Sequence, residues 1–360
     1  MIAAAMAVVL SVPGMAVAVG PGVQETTYYL SLGDSLATGY QPDGKEEPDV
    51  AYTDRLFEKL KQREPGLQHL RLGCTGETTE SLVNGGKCDY PDAGSQLDAA
   101  VKAMAEHRGK VNYVTINIGA NDINKCVEAT GELDGPCLST TVESMAENLA
   151  RITGALRQAG TESTQYTGAT YYNPFLASWL LGDEGQQVAK DSAGLIGTGN
   201  EMISQAYDAA GFNVADVAGA FSSADFSHLV DVPGSGKIPV NVAKICQLTW
   251  QCTADDPHPN AEGHQVIADA FAAALPASST PKPPTDDASP EPSTSPTPCE
   301  PTESPEPGQD TATEDRTKED LADTGASGNT LLFAGLALVA ITAGTATVVI
   351  VRKRSGTRKA

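Results

Sequence analysis

Between Val23 and Leu275 short runs rich in β-branched and aromatic residues alternate with longer stretches of helical periodicity, and this alternation limits the chain to very few folds. Strands separated by helix-length segments cannot pair as hairpins, so they join in parallel through crossovers. The strand-like runs are Thr27–Leu32, Gln68–Leu72, Val111–Ile118, Thr164–Thr170 and Phe212–Val217, with a last helical stretch from Asn260 to Ala274. The pattern predicts an α/β fold: a three-layer α/β/α sandwich, flavodoxin-like, around a five-stranded parallel sheet, filling residues 19–275 as one domain. Ligands of such sheets bind at the carboxyl ends of the strands, so residues just after each strand carry the functional information.

Those positions hold distinctive chemistry. Ser35 follows the first strand in Leu32-Gly33-Asp34-Ser35-Leu36, where a tight turn lifts its hydroxyl above the sheet edge. A serine there is also a common helix cap. After the second strand comes Gly73-Cys74-Thr75-Gly76-Glu77-Thr78-Thr79, and after the third Gly119-Ala120-Asn121-Asp122. A glycine N–H and the Asn121 amide at neighbouring strand ends suit one shared anionic oxygen, although turn glycines and a loop-stabilising asparagine explain the same residues. Before the last helix, Asp255-Asp256-Pro257-His258-Pro259-Asn260 places Asp255 three residues ahead of His258, a spacing that folds a carboxylate back onto the imidazole. Asp256 is expected to be a solvated or capping residue. No G-x-S-x-G elbow occurs, and the glycines from Gly194 to Gly199 lack dinucleotide-binding spacing.

Taken in order, GDSL, a glycine block, G-x-N-D and D-x-x-H resemble the GDSL/SGNH hydrolase family, and in particular secreted actinobacterial lipase-like members. The resemblance implies that Ser35 is the nucleophile, His258 its base and Asp255 the orienting acid. It also implies an oxyanion hole made by Ser35 N–H, Gly76 N–H and the Asn121 side chain, with Gly73 as the competitor for the glycine role. An ester substrate, lipid or acetylated glycan, follows, with no cofactor and no metal. Hydrolysis of acyl esters, deacetylation of a wall polysaccharide and a catalytically silent surface adhesin are the readings it leaves open. Asn173-Pro174-Phe175-Leu176-Ala177-Ser178-Trp179-Leu180-Leu181 is either an acyl-pocket lining or the core face of a helix.

The flanks read as export and anchoring signals. Residues 1–18 form an apolar leader ending in Ala16-Val17-Ala18, a small-residue site for signal peptidase, though without the usual basic start. Residues 276–320 are dominated by Pro, Ser, Thr, Asp and Glu and read as a disordered stalk. Residues 321–325, Leu321-Ala322-Asp323-Thr324-Gly325, resemble a sortase signal of the LPXTG kind cut between Thr324 and Gly325. The apolar run Leu331 to Val351 is long enough to cross a ~30 Å hydrocarbon core as a transmembrane helix, and the basic tail 352–360 keeps that end cytoplasmic. Sortase and, before processing, the membrane are the partners this implies. The location is then the cell surface, anchored to the wall, or to the membrane where the signal goes unused.

Export permits disulfides, and six of the seven cysteines fall into close pairs: Cys74 with Cys88, Cys126 with Cys137, and Cys246 with Cys252. Cys299 stays unpaired in the stalk. The net charge of −22 leaves no basic surface for a phosphate backbone, so nucleic acid is excluded as a partner.

Overall fold

A computed structural model describes residues 25–126 and 134–276. The leader, all but the first residue of the stalk, the 321–325 motif, the 331–351 run, the basic tail and Cys299 lie outside the described residues. Among the described residues no helix is long and apolar enough to cross a membrane.

Five strands form the central sheet: β1 (Thr27–Gly33), β2 (Leu67–Arg71), β3 (Val111–Asn117), β4 (Gln165–Ala169) and β5 (Asn213–Ala215). Their spatial order is β2-β1-β3-β4-β5, and every neighbouring pair is parallel. Side chains alternate between the two faces, as the pleat requires. Tyr29 and Tyr113 pack with helices Tyr52–Arg63 and Ala261–Ala274 on one face. Leu30, Leu32, Val114 and Ile116 pack on the other, against helices Gln96–Glu106 and Gly135–Ala159. Both faces are covered, which is why these strands read as nearly continuous apolar runs. The doubly wound three-layer sandwich is therefore the fold.

The order reverses at β1: the chain steps from β1 to β2 on one side and then from β2 across to β3 on the other. In sheets of this kind such a reversal sets the ligand site above the carboxyl ends of the two strands that flank it, here β1 and β3.

The structure adds an antiparallel hairpin, β6 (Leu229–Val232) with β7 (Gly236–Pro239), that the alternation did not reveal. Its turn, Pro233-Gly234-Ser235, is a legible signal, with Gly234 at φ 85°. The apolar segment after β4 becomes a 3-10 helix, Pro174–Leu181, divided between core and surface. Leu176 is fully buried and Trp179 packs on Phe226, while Leu181 is 67% exposed. Only Asn173 from this segment lines the ~600 Å³ cavity beside β4 and β5.

Candidate active site

Three strand ends converge. Gly33 closes β1 with φ 138°, a conformation that frees the chain to turn sharply into the short helix Ser35–Thr38. Asp34 caps that helix by accepting the Leu36 N–H at 3.0 Å, and its other oxygen accepts the Tyr171 hydroxyl at 3.3 Å. Burial pushes the Asp34 carboxyl up to about 7, against the pull of these two hydrogen bonds. Ser35 stands in the first turn of the helix, largely buried but with its hydroxyl directed at the loop ahead of the last helix.

The second and third strand ends are tied to the first by hydrogen bonds. Cys74 N–H donates to Gly33 O at 3.0 Å, and the Thr38 and Thr75 hydroxyls meet at 2.8 Å. Asn121 Nδ2 donates to Glu77 O at 2.9 Å, and Asp122 accepts both N–H and hydroxyl of Thr79. Gly76 takes φ 79°, and the Asn121 amide is held on the Glu77 carbonyl of the same block. Gly73 packs closely on the Ser35 helix: a Cβ there would sit 3.0 Å from the Ala37 Cβ.

His258 completes the constellation. Its Nε2 lies 2.9 Å from Ser35 Oγ and its Nδ1 2.7 Å from Asp256 Oδ1. A carboxylate only accepts, so Nδ1 carries the proton and Nε2 presents its lone pair to the Ser35 hydroxyl. That arrangement can remove a proton from Ser35 while the carboxylate stabilises the imidazolium formed.

The orienting carboxylate corrects the sequence reading: Asp256, not Asp255, meets His258. Asp255 terminates the short helix Gln251–Ala254 in the left-handed region, at φ 52°, and its carboxylate turns back to accept Gln251 Nε2 at 2.9 Å. Asp256 then begins a tight turn in which one oxygen accepts both the His258 backbone N–H, at 2.9 Å, and the ring Nδ1–H.

Further residues hold the site without any signal in the linear pattern. Tyr172 Oη donates to Pro257 O at 2.6 Å, Trp250 N–H donates to His258 O at 3.0 Å, and the Tyr40 ring lies 4.7 Å from the imidazole. Fully buried Gln96 clamps Gly33 from both sides, accepting its N–H at 2.7 Å and donating to its carbonyl at 3.1 Å. Disulfides join Cys74–Cys88, Cys126–Cys137 and Cys246–Cys252, each beside one of the converging loops. Among the described residues no group of three or more His, Cys, Asp or Glu side chains is placed to hold a metal ion.

Residues 31–266 match the model of the GDSL-like lipase/acylhydrolase family. The chain belongs to this family. The match covers most of the chain and contains Ser35, Gly76, Asn121, Asp256 and His258, and it makes the protein a carboxylic ester hydrolase. No curated protein matches the sequence. Solved structures similar to this GDSL-like hydrolase include an acetyl xylan esterase variant of Geobacillus stearothermophilus, at 16% identity and TM-score 0.43 over 68% of this chain and 92% of that one. A GDSL-like lipase of Parabacteroides merdae shares 13% identity at TM-score 0.43, over 70% and 96% of the two chains. A lipase from a goat rumen metagenome shares 16% at TM-score 0.43, over 69% and 97%.

Proposed function

We propose that this GDSL-like hydrolase cleaves acyl esters through a covalent acyl-enzyme, with Ser35 as nucleophile, His258 as base and Asp256 as the orienting acid. The Ser35 Oγ to His258 Nε2 contact of 2.9 Å, continued by the 2.7 Å contact from Nδ1 to Asp256, carries the reading. His258 takes the Ser35 proton as Oγ attacks the ester carbonyl carbon. Ser35 N–H, Gly76 N–H and the Asn121 amide hold the negative oxygen of the tetrahedral intermediate. Its collapse expels the alcohol, which leaves with the proton from Nε2. Water, deprotonated by His258, then attacks the acyl-serine, and the carboxylic acid departs as Ser35 regains its proton.

A fluorophosphonate probe tests this. Wild-type protein should gain one adduct on the peptide containing Ser35, and Ser35→Ala should neither label nor turn over 4-nitrophenyl esters. Labelling elsewhere, or full turnover by Ser35→Ala, overturns the assignment. A chain-length series of these esters beside acetylated glycans assigns the acyl group.

The reading includes display at the cell surface. The order of motif 321–325, apolar run and basic tail supports cleavage between Thr324 and Gly325 and linkage of the mature chain to the wall. Thr324→Ala should release the enzyme from the detergent-resistant wall fraction; unchanged linkage refutes sortase processing.

A further inference from the structure

The strand-end glycine block carries a cation that the chemistry above does not use. Lys87 directly precedes Cys88, and the Cys74–Cys88 disulfide binds it to the segment that holds Gly76. Its side chain reaches back over that glycine: a Cβ at Gly76 would lie 2.8 Å from both Lys87 Cε and Nζ. The missing side chain at Gly76 is the space the ammonium fills. Lys87 thus stands over the residue assigned to the oxyanion hole.

Its charge pulls on the buried Glu77 carboxyl, but no carboxylate forms an ion pair with it among the described residues. Asp89, two residues along, is exposed, and Glu77 is buried and directs its oxygens to Ser81 at 2.5 Å, Gln96 at 3.0 Å and Tyr90 at 3.5 Å. Lys87 is itself exposed. Lys125, four residues after Asn121, is paired with Glu80 at 3.5 Å. Asp256 lies behind His258, and Glu46 accepts the Thr75 hydroxyl at 2.6 Å. With a net charge of −22 the chain as a whole repels anions, so an exposed ammonium held at this point selects by local attraction.

We propose that Lys87 is a specificity-determining residue that gives the site a preference for esters whose leaving group carries a negative charge. This rests on the esterase reading and on Gly76 in the oxyanion hole. The disulfide supplies the fixed position: a lysine on a free loop would lose the attraction to side-chain and loop entropy.

The experiment compares kcat/KM for 4-acetoxybenzoate, which is anionic, with that for neutral phenyl acetate, in wild-type protein, Lys87→Arg, Lys87→Gln and Lys87→Glu. Taking the ratio within each variant cancels the intrinsic difference between the two leaving groups. The anionic-to-neutral ratio should fall about three- to tenfold in Lys87→Gln, fall further in Lys87→Glu and be retained in Lys87→Arg, and the wild-type advantage should shrink in 0.5 M salt. A ratio that is the same in all four proteins, including the case where both rates fall together, overturns the proposal, as does a ratio insensitive to salt. Wild-type protein that hydrolyses neither ester refutes the esterase reading itself.

Discussion

Exchanging Asp256 for asparagine removes the charge that faces the His258 ring and leaves its size unchanged. The 2.7 Å hydrogen bond from Nδ1 to a carboxylate is worth about 1.5–3 kcal/mol, and the attraction to the imidazolium formed in the transition state adds up to about 4 kcal/mol at 4 Å in a medium of effective dielectric 20. The Asp256 side chain is 21% exposed, so water offsets part of the second quantity, and a total of about 3–4 kcal/mol is expected. At about 1.4 kcal/mol per decade this is a fall of about 10²–10³ in kcat, below the ~10⁴ known for a fully buried orienting aspartate. The loop itself stays in place, because Tyr172 holds Pro257 O and the Trp250 backbone holds His258 O. KM should therefore change little. Asp255→Asn, which loses only an exposed contact with Gln251, should stay within about twofold of wild type by the usual range for surface changes. The assay is hydrolysis of a short-chain 4-nitrophenyl ester by both variants, with circular dichroism to establish folding. A large loss in Asp255→Asn with little in Asp256→Asn refutes the geometry, and small losses in both mean that another group orients His258.

Three further outcomes are expected. Buried His264, whose Nδ1 accepts the Tyr52 N–H at 3.2 Å, has its imidazole pushed down to about 3, first by burial and then by Arg55 and His258. The unfolded chain then binds the extra proton between pH ~6.5 and ~3, so stability is full above that window and falls as the pH drops through it. Urea titrations from pH 7 to 4 should show a shallower acid loss for His264→Gln, and parallel curves contradict the assignment. Gly33→Ala would place a Cβ 2.4 Å from the Asn117 carbonyl oxygen at φ 138°, which should cost about 3 kcal/mol in chemical denaturation and displace Ser35; a cost below about 1 kcal/mol rules out a rigid β1–β3 junction. Replacing Cys246 and Cys252 together by serine should lower stability by about 2 kcal/mol, the entropy of so short a loop, and should lower turnover as the loop carrying His258 loosens. Unreduced peptide maps that join any of the six cysteines over long range would contradict the pairs to which those cysteines belong.

The sequence by itself determined the layers and picked out Ser35 and His258, which the structure brings together. Strand and helix periodicities are local, and they fix which side chains face which layer, so all five sheet strands were legible to within a few residues. Nearest-neighbour cysteines close short loops, and they pair that way in the structure. Ser35 and His258 were legible because each lies where a parallel sheet delivers its loops, one directly after a strand and one directly before the last helix. The tertiary structure decided which acid serves His258. Spacing favoured Asp255, but the left-handed backbone at that residue turns its carboxylate towards Gln251, while the tight turn at Asp256 aims one oxygen at both N–H groups of His258. It also decided what holds the site together. Gln96 reaches Gly33 across 63 residues of chain and Tyr172 reaches Pro257 across 85, and Lys87 meets Gly76 only because a disulfide folds its loop back. Such contacts depend on how distant segments are brought together in space, and no periodicity along the chain records that.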